Sequence, residues 1–422
     1  MIRYVYTFLL CLAAPFLLFG LYKKKPGKPA FGSRWKEHFG RTPPLKDQST
    51  APIWIHTVSV GETIAATPFI KQLKEKYPDT PIVITTTTST GAEQAEKLSD
   101  IAEHRYMPLD LPFALKSFLR SIQPKMMLIM ETELWPNTIH YVAKSDIPIT
   151  VINARLSQRS AERYAKFPSI FNLLSNGITR ILCQHQADAD RFKQLGVSAE
   201  KLAVTGSLKF DITIPPATIE AGNQLREQLG TERPVWIAAS THHGEDEQVL
   251  AAHQALLKTH PNALLILVPR HPERFNDVYL LSNTLGFNTA RRTQPQPDFS
   301  QTQVYLGDTM GEMLILMQAT DVCFMGGSLL GDKVGGHNVL EPAALGIPCL
   351  IGQSYYNFSD ITHQLTQVKA AFICQGADDI YHKLIKLIES ESIRKQCQEQ
   401  ALAVIKGNQG AVKKTIKSIS IT

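Results

Sequence analysis

GGHNVLEPAALG, residues 335–346, follows the apolar run VCFM at 322–325 and a first glycine pair, Gly326 and Gly327. An apolar run, a glycine turn and a helix start through Asn338, Glu341 and Pro342 make one strand–turn–helix unit of a doubly wound α/β domain. Glycine lets backbone approach a ligand closely, and N–H groups at a helix start offer positive partial charge to an anion. The carboxylate of Glu341 adds an acceptor for hydroxyls. The unit therefore fits a phosphorylated ligand whose hydroxyls are also held. The same residues satisfy a second description: Asn338 followed by Glu341 is a capping-box variant, and Pro342 suits a first helical turn. Both descriptions stay open on this stretch alone.

Outward from it the same rhythm recurs. Short β-branched runs at 53–58, 82–86, 126–130, 148–152, 181–183 and 203–205 alternate with amphipathic stretches such as 63–76 and 188–195. A polar interval at 209–233, with Pro215 and Pro216, reads as a linker containing a short helix. The runs resume at 235–238, 263–268, 303–306, 322–325, 347–351 and 371–373. This is the rhythm of βα units on parallel sheets. The expectation is two doubly wound, Rossmann-like domains, 26–208 and 234–422, the last helix being free to return to the first. Ligands in such sheets sit beyond the carboxyl ends of the strands.

A chain of 422 residues exceeds one ordinary domain, which agrees with two. A net charge of +6 fits an anionic substrate or a membrane surface but lacks the clustered basic signature of a nucleic-acid binder. Cys11, Cys183, Cys323, Cys349, Cys374 and Cys397 lie far apart with no CxxC pair. They read as buried thiols, not as a disulfide framework or zinc site. Residues 4–22 carry no charge and are about long enough to span a hydrocarbon core. Lys23, Lys24, Lys25 and Lys28 follow, against Arg3 in front, a bias that holds the C-terminal side in the cytoplasm. Residues 1–25 are thus expected to be a membrane anchor, with a monotopic attachment as the alternative.

The loops after the runs carry the chemistry. Ser59-Val60-Gly61-Glu62 opens a helix, where the dipole keeps a carboxylate ionised and available as a base; Ser59 also suits an ordinary cap. Glu131 and Glu133, two apart in an extended segment, would project on one side beside Trp135, a set suited to a sugar. Arg270 and Arg274 can grip a phosphate or form a solvated turn. Gly307-Asp308-Thr309-Met310-Gly311-Glu312 is another glycine turn, in which Asp308 can cap the next helix. His242 and His243 invite a metal reading, but adjacent histidines ligate one ion poorly, and a capping turn before Glu247 is the better account. Arg34, Lys36 and Arg41, just after the anchor, form a basic face for anionic headgroups, or a plain positive flank.

HTVSVGET (56–63), METELWPN (130–137), INARLS (152–157), TGSLKFD (205–211), ASTHHGEDE (239–247), PRHPERF (269–275), GDTMGEM (307–313) and GGHNVLEPAALG follow one another in the chain. Together they resemble the bacterial 3-deoxy-D-manno-octulosonic acid (Kdo) transferases, membrane-anchored enzymes of lipopolysaccharide synthesis. Ser207 stands where that family often has Asn, a tolerated variation. The resemblance implies a GT-B glycosyltransferase: two Rossmann-like domains with an interdomain cleft, plus the N-terminal anchor helix in the inner membrane. It implies CMP-Kdo as donor, lipid IVA as acceptor, and neither cofactor nor metal. On this likeness Glu62 is the catalytic base and Glu131 orients sugar hydroxyls. Arg270 meets the CMP phosphate, Met310 and Gly311 the nucleotide, and Asn338 and Glu341 the phosphate and ribose. Ser59, Gly61, His271, Glu312 and Gly327 complete the implied binding set. Rival readings are a GT-B enzyme with another nucleotide sugar, a metal-dependent hydrolase and a silent membrane scaffold.

Overall fold

The structure is a computed structural model that describes residues 2–23, 29–295 and 298–419. It divides into two compact units, residues 1–211 with 408–422, and residues 212–407. Lys24, Lys25 and Lys28, expected to flank the anchor, lie outside the described residues.

In the first unit the strands are β1 (Ile53–His56), β2 (Ile82–Thr86), β3 (Glu103–Tyr106), β4 (Met126–Met130), β5 (Ile149–Ala154), β6 (Arg180–Cys183) and β7 (Leu202–Val204). They form one sheet in the order β3-β2-β1-β4-β5-β6-β7, parallel at every pairing. Helices cover both faces, so β1, β2, β4 and β5 are buried at every residue, and that burial is why they read as unbroken apolar runs. One face packs Trp54, Phe118, Phe171 and Phe192. The other packs Phe69, Ile70 and Leu73 of the helix Val60–Lys76 with Val412 and Ile416 from the far end of the chain. The strand order reverses direction between β1 and β4, the point at which such sheets place a ligand crevice outside the strands' carboxyl ends.

In the second unit β8 (Val235–Thr241), β9 (Leu264–Pro269), β10 (Thr289–Arg291), β11 (Val304–Leu306), β12 (Val322–Met325), β13 (Cys349–Gly352) and β14 (Ala371–Cys374) pair in parallel in the order β10-β11-β9-β8-β12-β13-β14. Its core includes Trp236, Val249, Leu267 and Phe324. Here the order reverses between β8 and β12.

Three expectations change. The strands β3 and β10 were not expected; EHRY and TAR are too polar or too short to read as buried runs. The interval 209–233 is mostly the helix Pro216–Leu229, 14 residues long, whose Gly222 lies so close to Gln318 that a Cβ would sit 2.4 Å from its side chain. Arg34 is not part of a free basic face: its Nε donates to Glu37 at 2.7 Å and its guanidinium to the His104 carbonyl at 3.1 Å.

The two segments of the first unit meet through one side chain. Asp211 accepts from the Gly410 N–H at 2.6 Å and from the Val412 N–H, capping the helix Ala411–Ser418 from 199 residues away. Asp211→Ala is expected to lower unfolding free energy by about 2 kcal/mol, the upper range for lost N-caps. Urea denaturation checks this, and an unchanged midpoint would remove the cap from the account.

Candidate active site

The crevice of the first sheet gathers Glu62, Glu131, Glu133 and Lys209. Ser59 is the N-cap of the helix Val60–Lys76, its hydroxyl accepting from the Glu62 N–H at 3.3 Å. The Glu62 carboxylate turns back over this cap. It accepts from the Val58 N–H at 2.9 Å and from the Ser59 hydroxyl at 3.0 Å, and is only 9% exposed. Gly61 has nothing but Ser59 Oγ near its Cα, at 3.9 Å from an added Cβ, so the turn stays open there. Burial pushes the Glu62 carboxyl up to about 7, and Glu131 and Glu133 push the same way against the Val58 N–H and the Ser59 hydroxyl. A carboxyl poised near neutrality is matched to general-base work.

Glu131 does not continue β4 in extended form. Its φ of 57° turns the chain left-handed, a conformation non-glycine residues rarely hold. The pair therefore does not project along one strand face. Glu131 reaches Lys209 at 3.5 Å, whereas Glu133 accepts from the Trp135 indole at 3.3 Å. Trp135 is no free stacking platform, since its ring also packs edge-on against buried His56 at 5.3 Å. Burial holds the His56 imidazole down to about 4, hence neutral.

Lys209 escaped the reading of the sequence. It sits in the turn Leu208–Phe210, which is fastened where Asn153 Oδ1 accepts from the Leu208 N–H at 3.0 Å. Asn153 itself holds a φ of 54°. The motif segments INARLS and TGSLKFD thus act together, one fixing the turn that presents the cation of the other. Only the fold brings Lys209 to Glu131, 78 positions earlier, so spacing carried no signal.

In the second unit the crevice between β8 and β12 is filled from within. Glu245, fully buried, accepts backbone N–H bonds from His242 at 3.0 Å, Gly327 at 2.7 Å, Ser328 at 2.9 Å and Leu329 at 3.0 Å. Gly327, expected in the nucleotide-binding set, therefore has its N–H already engaged. Gly327 keeps its value as glycine, since its φ is 69° and a Cβ would lie 2.7 Å from Val334. The next glycines are left-handed too, and a Cβ on Gly335 would lie 2.4 Å from the Tyr356 ring.

Past them Asn338 Oδ1 accepts from the Leu340 N–H and its amide donates to Glu341, each at 3.2 Å. The helix Leu340–Ala344 is thus capped by one partner, without a reciprocal box. Burial raises the Glu341 carboxyl, against the opposing pull of Asn338 and Arg270. Arg270 is exposed, and its charge also bears on His242 and His337. His271 packs edge-on to His242 at 5.4 Å, and the nearly parallel rings of His242 and His337 meet through their Nε2 atoms 2.8 Å apart, one ring donating and the other accepting. Burial, then His242, Arg270 and His271, hold His337 down to about 4. Arg270, His271, His337, Asn338 and Glu341 therefore form one group.

Arg274 is committed elsewhere, to buried Asp246 and to the Thr241 carbonyl. Asp308 does not cap a helix; it binds Arg291 and Thr293, each at 2.7 Å. Met310 is 66% exposed and Gly311 has open space above it. Glu312 pairs with Arg292 at 2.8 Å, which lowers its carboxyl below the usual range. Among the described residues no group of three or more His, Cys, Asp or Glu is placed to hold a metal ion.

Replacing Glu62 by Gln tests the buried carboxyl without substrate. A group raised from 4.5 to about 7 adds stability in its protonated form, and that stability is lost as pH rises through the folded value. The variant should therefore gain melting temperature relative to the parent as pH climbs through this window, with the difference constant below it. A pH-independent difference would mean the carboxyl is not raised.

The family model for 3-deoxy-D-manno-octulosonic-acid transferase matches residues 33–212. A transferase of that name from Haemophilus influenzae is 39% identical over 98% of this chain and 97% of its own length. The Bordetella pertussis transferase is 32% identical over 99% and 98%. A glycosyltransferase structure from Rickettsia africae aligns over 87% of this chain and 97% of its own with a TM-score of 0.56 at 12% identity, a likeness of fold alone. Two parallel seven-stranded sheets of this GT-B type, matched nearly end to end by such relatives, place the chain in the 3-deoxy-D-manno-octulosonic acid transferase family of glycosyltransferases.

Proposed function

We propose that the protein transfers Kdo from CMP-Kdo to lipid IVA in lipopolysaccharide synthesis, with inversion at the Kdo anomeric carbon. The observation that carries this reading is Glu62: a buried carboxyl raised to about 7, at the reversal point of the first sheet and beside the Glu131–Lys209 pair. Glu62 takes the proton of an acceptor sugar hydroxyl while that oxygen attacks C2 of Kdo. The C2–oxygen bond to the phosphate breaks, and CMP leaves with the electron pair. Lys209 holds Glu131 in place to orient sugar hydroxyls, and its charge offsets that carried by the sugar carboxylate.

The second unit is assigned the donor. Arg270, exposed at the end of β9, takes the phosphate, whose charge it can meet with a two-pronged fork. Glu341 and Asn338 take ribose hydroxyls, Met310 and Gly311 the cytosine face, and His271 and Glu312 border the same loops. With Arg270 and oriented N–H groups to bear the leaving charge, the reading assigns no cofactor or metal. Placement at the inner membrane, with both units in the cytoplasm, is supported by the apolar helix Ile2–Tyr22 and by Lys23 after it.

Detergent-solubilised protein incubated with CMP-Kdo and lipid IVA should yield a product heavier by one or more Kdo units, equally with chelator present. Glu62→Gln should lower kcat by ~10²–10⁴-fold. No mass increment with CMP-Kdo would refute the reaction, and an undiminished variant would refute the base.

A further inference from the structure

The helix Ile2–Tyr22 is uncharged after Arg3 and apolar over most of its length, a composition that ordinarily means a span. Its placement says otherwise. Residues 3, 6, 7, 10, 13, 14, 18, 21 and 22 are half-covered and the rest exposed, a stripe at helical spacing that runs the whole length. The polar side chains gather on that stripe and bond to the first unit at both ends. Near the start, Arg3 donates to Asn137 at 3.2 Å, the Asn137 amide donates to Thr7 at 2.9 Å, and Tyr6 bonds to Asp110. At the other end the Tyr22 hydroxyl meets His38 Nδ1 at 2.6 Å, and its ring packs edge-on against Phe31 at 5.1 Å.

A helix of 21 residues is about 30 Å long, the thickness of a hydrocarbon core. Fastened at both ends to a water-soluble α/β unit, it cannot also be ringed by lipid, because the polar surface beside it would have to enter hydrocarbon. Its outer face is built for lipid nonetheless: Phe16 is 80% exposed, Phe19 71%, Phe8 64% and Leu12 59%. The surface continues past the helix at each end. Trp35, whose carbonyl accepts from Tyr22, is exposed, as is Phe113, three residues beyond Asp110. Exposed Lys23, Lys36 and Arg41 supply positive charge near one end and Lys116 near the other.

Building on the membrane-anchor reading, we infer that this helix is an in-plane anchor, seated in one leaflet of an anionic phospholipid bilayer with the first unit as its polar half. Apolar area enters the acyl boundary while the basic residues meet headgroups. The membrane is then a floor under the first unit and not a wall pierced by a stalk.

The test is sidedness. Cys183, Cys323, Cys349, Cys374 and Cys397 are buried, so replacing exposed Cys11 by Ser leaves a silent background. Into it go Ile2→Cys, Lys23→Cys and, on the body, Lys46→Cys, each in full-length protein inserted into preformed sealed vesicles containing phosphatidylglycerol. A membrane-impermeant maleimide should label Lys23→Cys and Lys46→Cys from outside, and opening the vesicles should add no label at any of the three positions. Protection of Ile2→Cys until opening, with the other two labelled, means a spanning helix and overturns the inference. Failure of the protein to float with the vesicles refutes the anchor reading itself, an outcome separable from the first.

Discussion

A carboxylate taken out of water must find hydrogen-bond donors, and the donors it finds decide what it does. Glu62 and Glu245, each buried just after the strand at which the order of its sheet reverses, meet that need differently. Glu245 has four backbone N–H donors, which is a full complement for two oxygens, and it ties the loop after β8 to the glycine turn after β12. Glu62 has one backbone N–H and one hydroxyl, set against two neighbouring carboxylates. Too little solvation and too much like charge leave its proton exchangeable near neutrality. The two carboxyls thus differ both in the number of their donors and in the charge beside them.

The same crevices concentrate backbone strain. Glu131, Asn153 and Ser240 hold φ values of 57°, 54° and 58° at or just beyond strand ends, each at a cost on the order of 1–3 kcal/mol. Neighbouring bonds hold these turns in place. The Glu131 N–H stays in the sheet through the Ile152 carbonyl at 3.0 Å, and Asn153 is fastened to Leu208. The consequence is positional: Glu131 leaves the strand direction and reaches Lys209, so a cation is fixed beside a carboxylate that would otherwise only repel Glu62. Conformational freedom at that strand end would separate these three groups.

Most of the fold was legible because parallel strands covered on both faces must be apolar throughout, as IVITT and MMLIM are. EHRY and TAR broke that rule and went unread. The loops carrying Glu62, Glu131 and Arg270 were legible because such folds place ligands at strand carboxyl ends. What sequence spacing could not convey was competition for donors. Gly327 was expected in the nucleotide-binding set, yet its N–H is engaged by a residue 82 positions away. Likewise Trp135 looked like a sugar platform, but its indole is held by Glu133 and His56. Lys209 became meaningful only when the Asn153 bond placed it.

The central claim is that Glu62 is the base because burial and its neighbouring carboxylates hold its proton near neutrality. The pH dependence of kcat/KM, measured for the parent and for Glu131→Gln with CMP-Kdo and lipid IVA, tests it most directly. The account predicts an acid limb near 7 in the parent that moves to lower pH in the variant, where one like charge has gone and Lys209 is left unpaired. A profile with no acid limb near neutrality, or a limb that does not move, would contradict it.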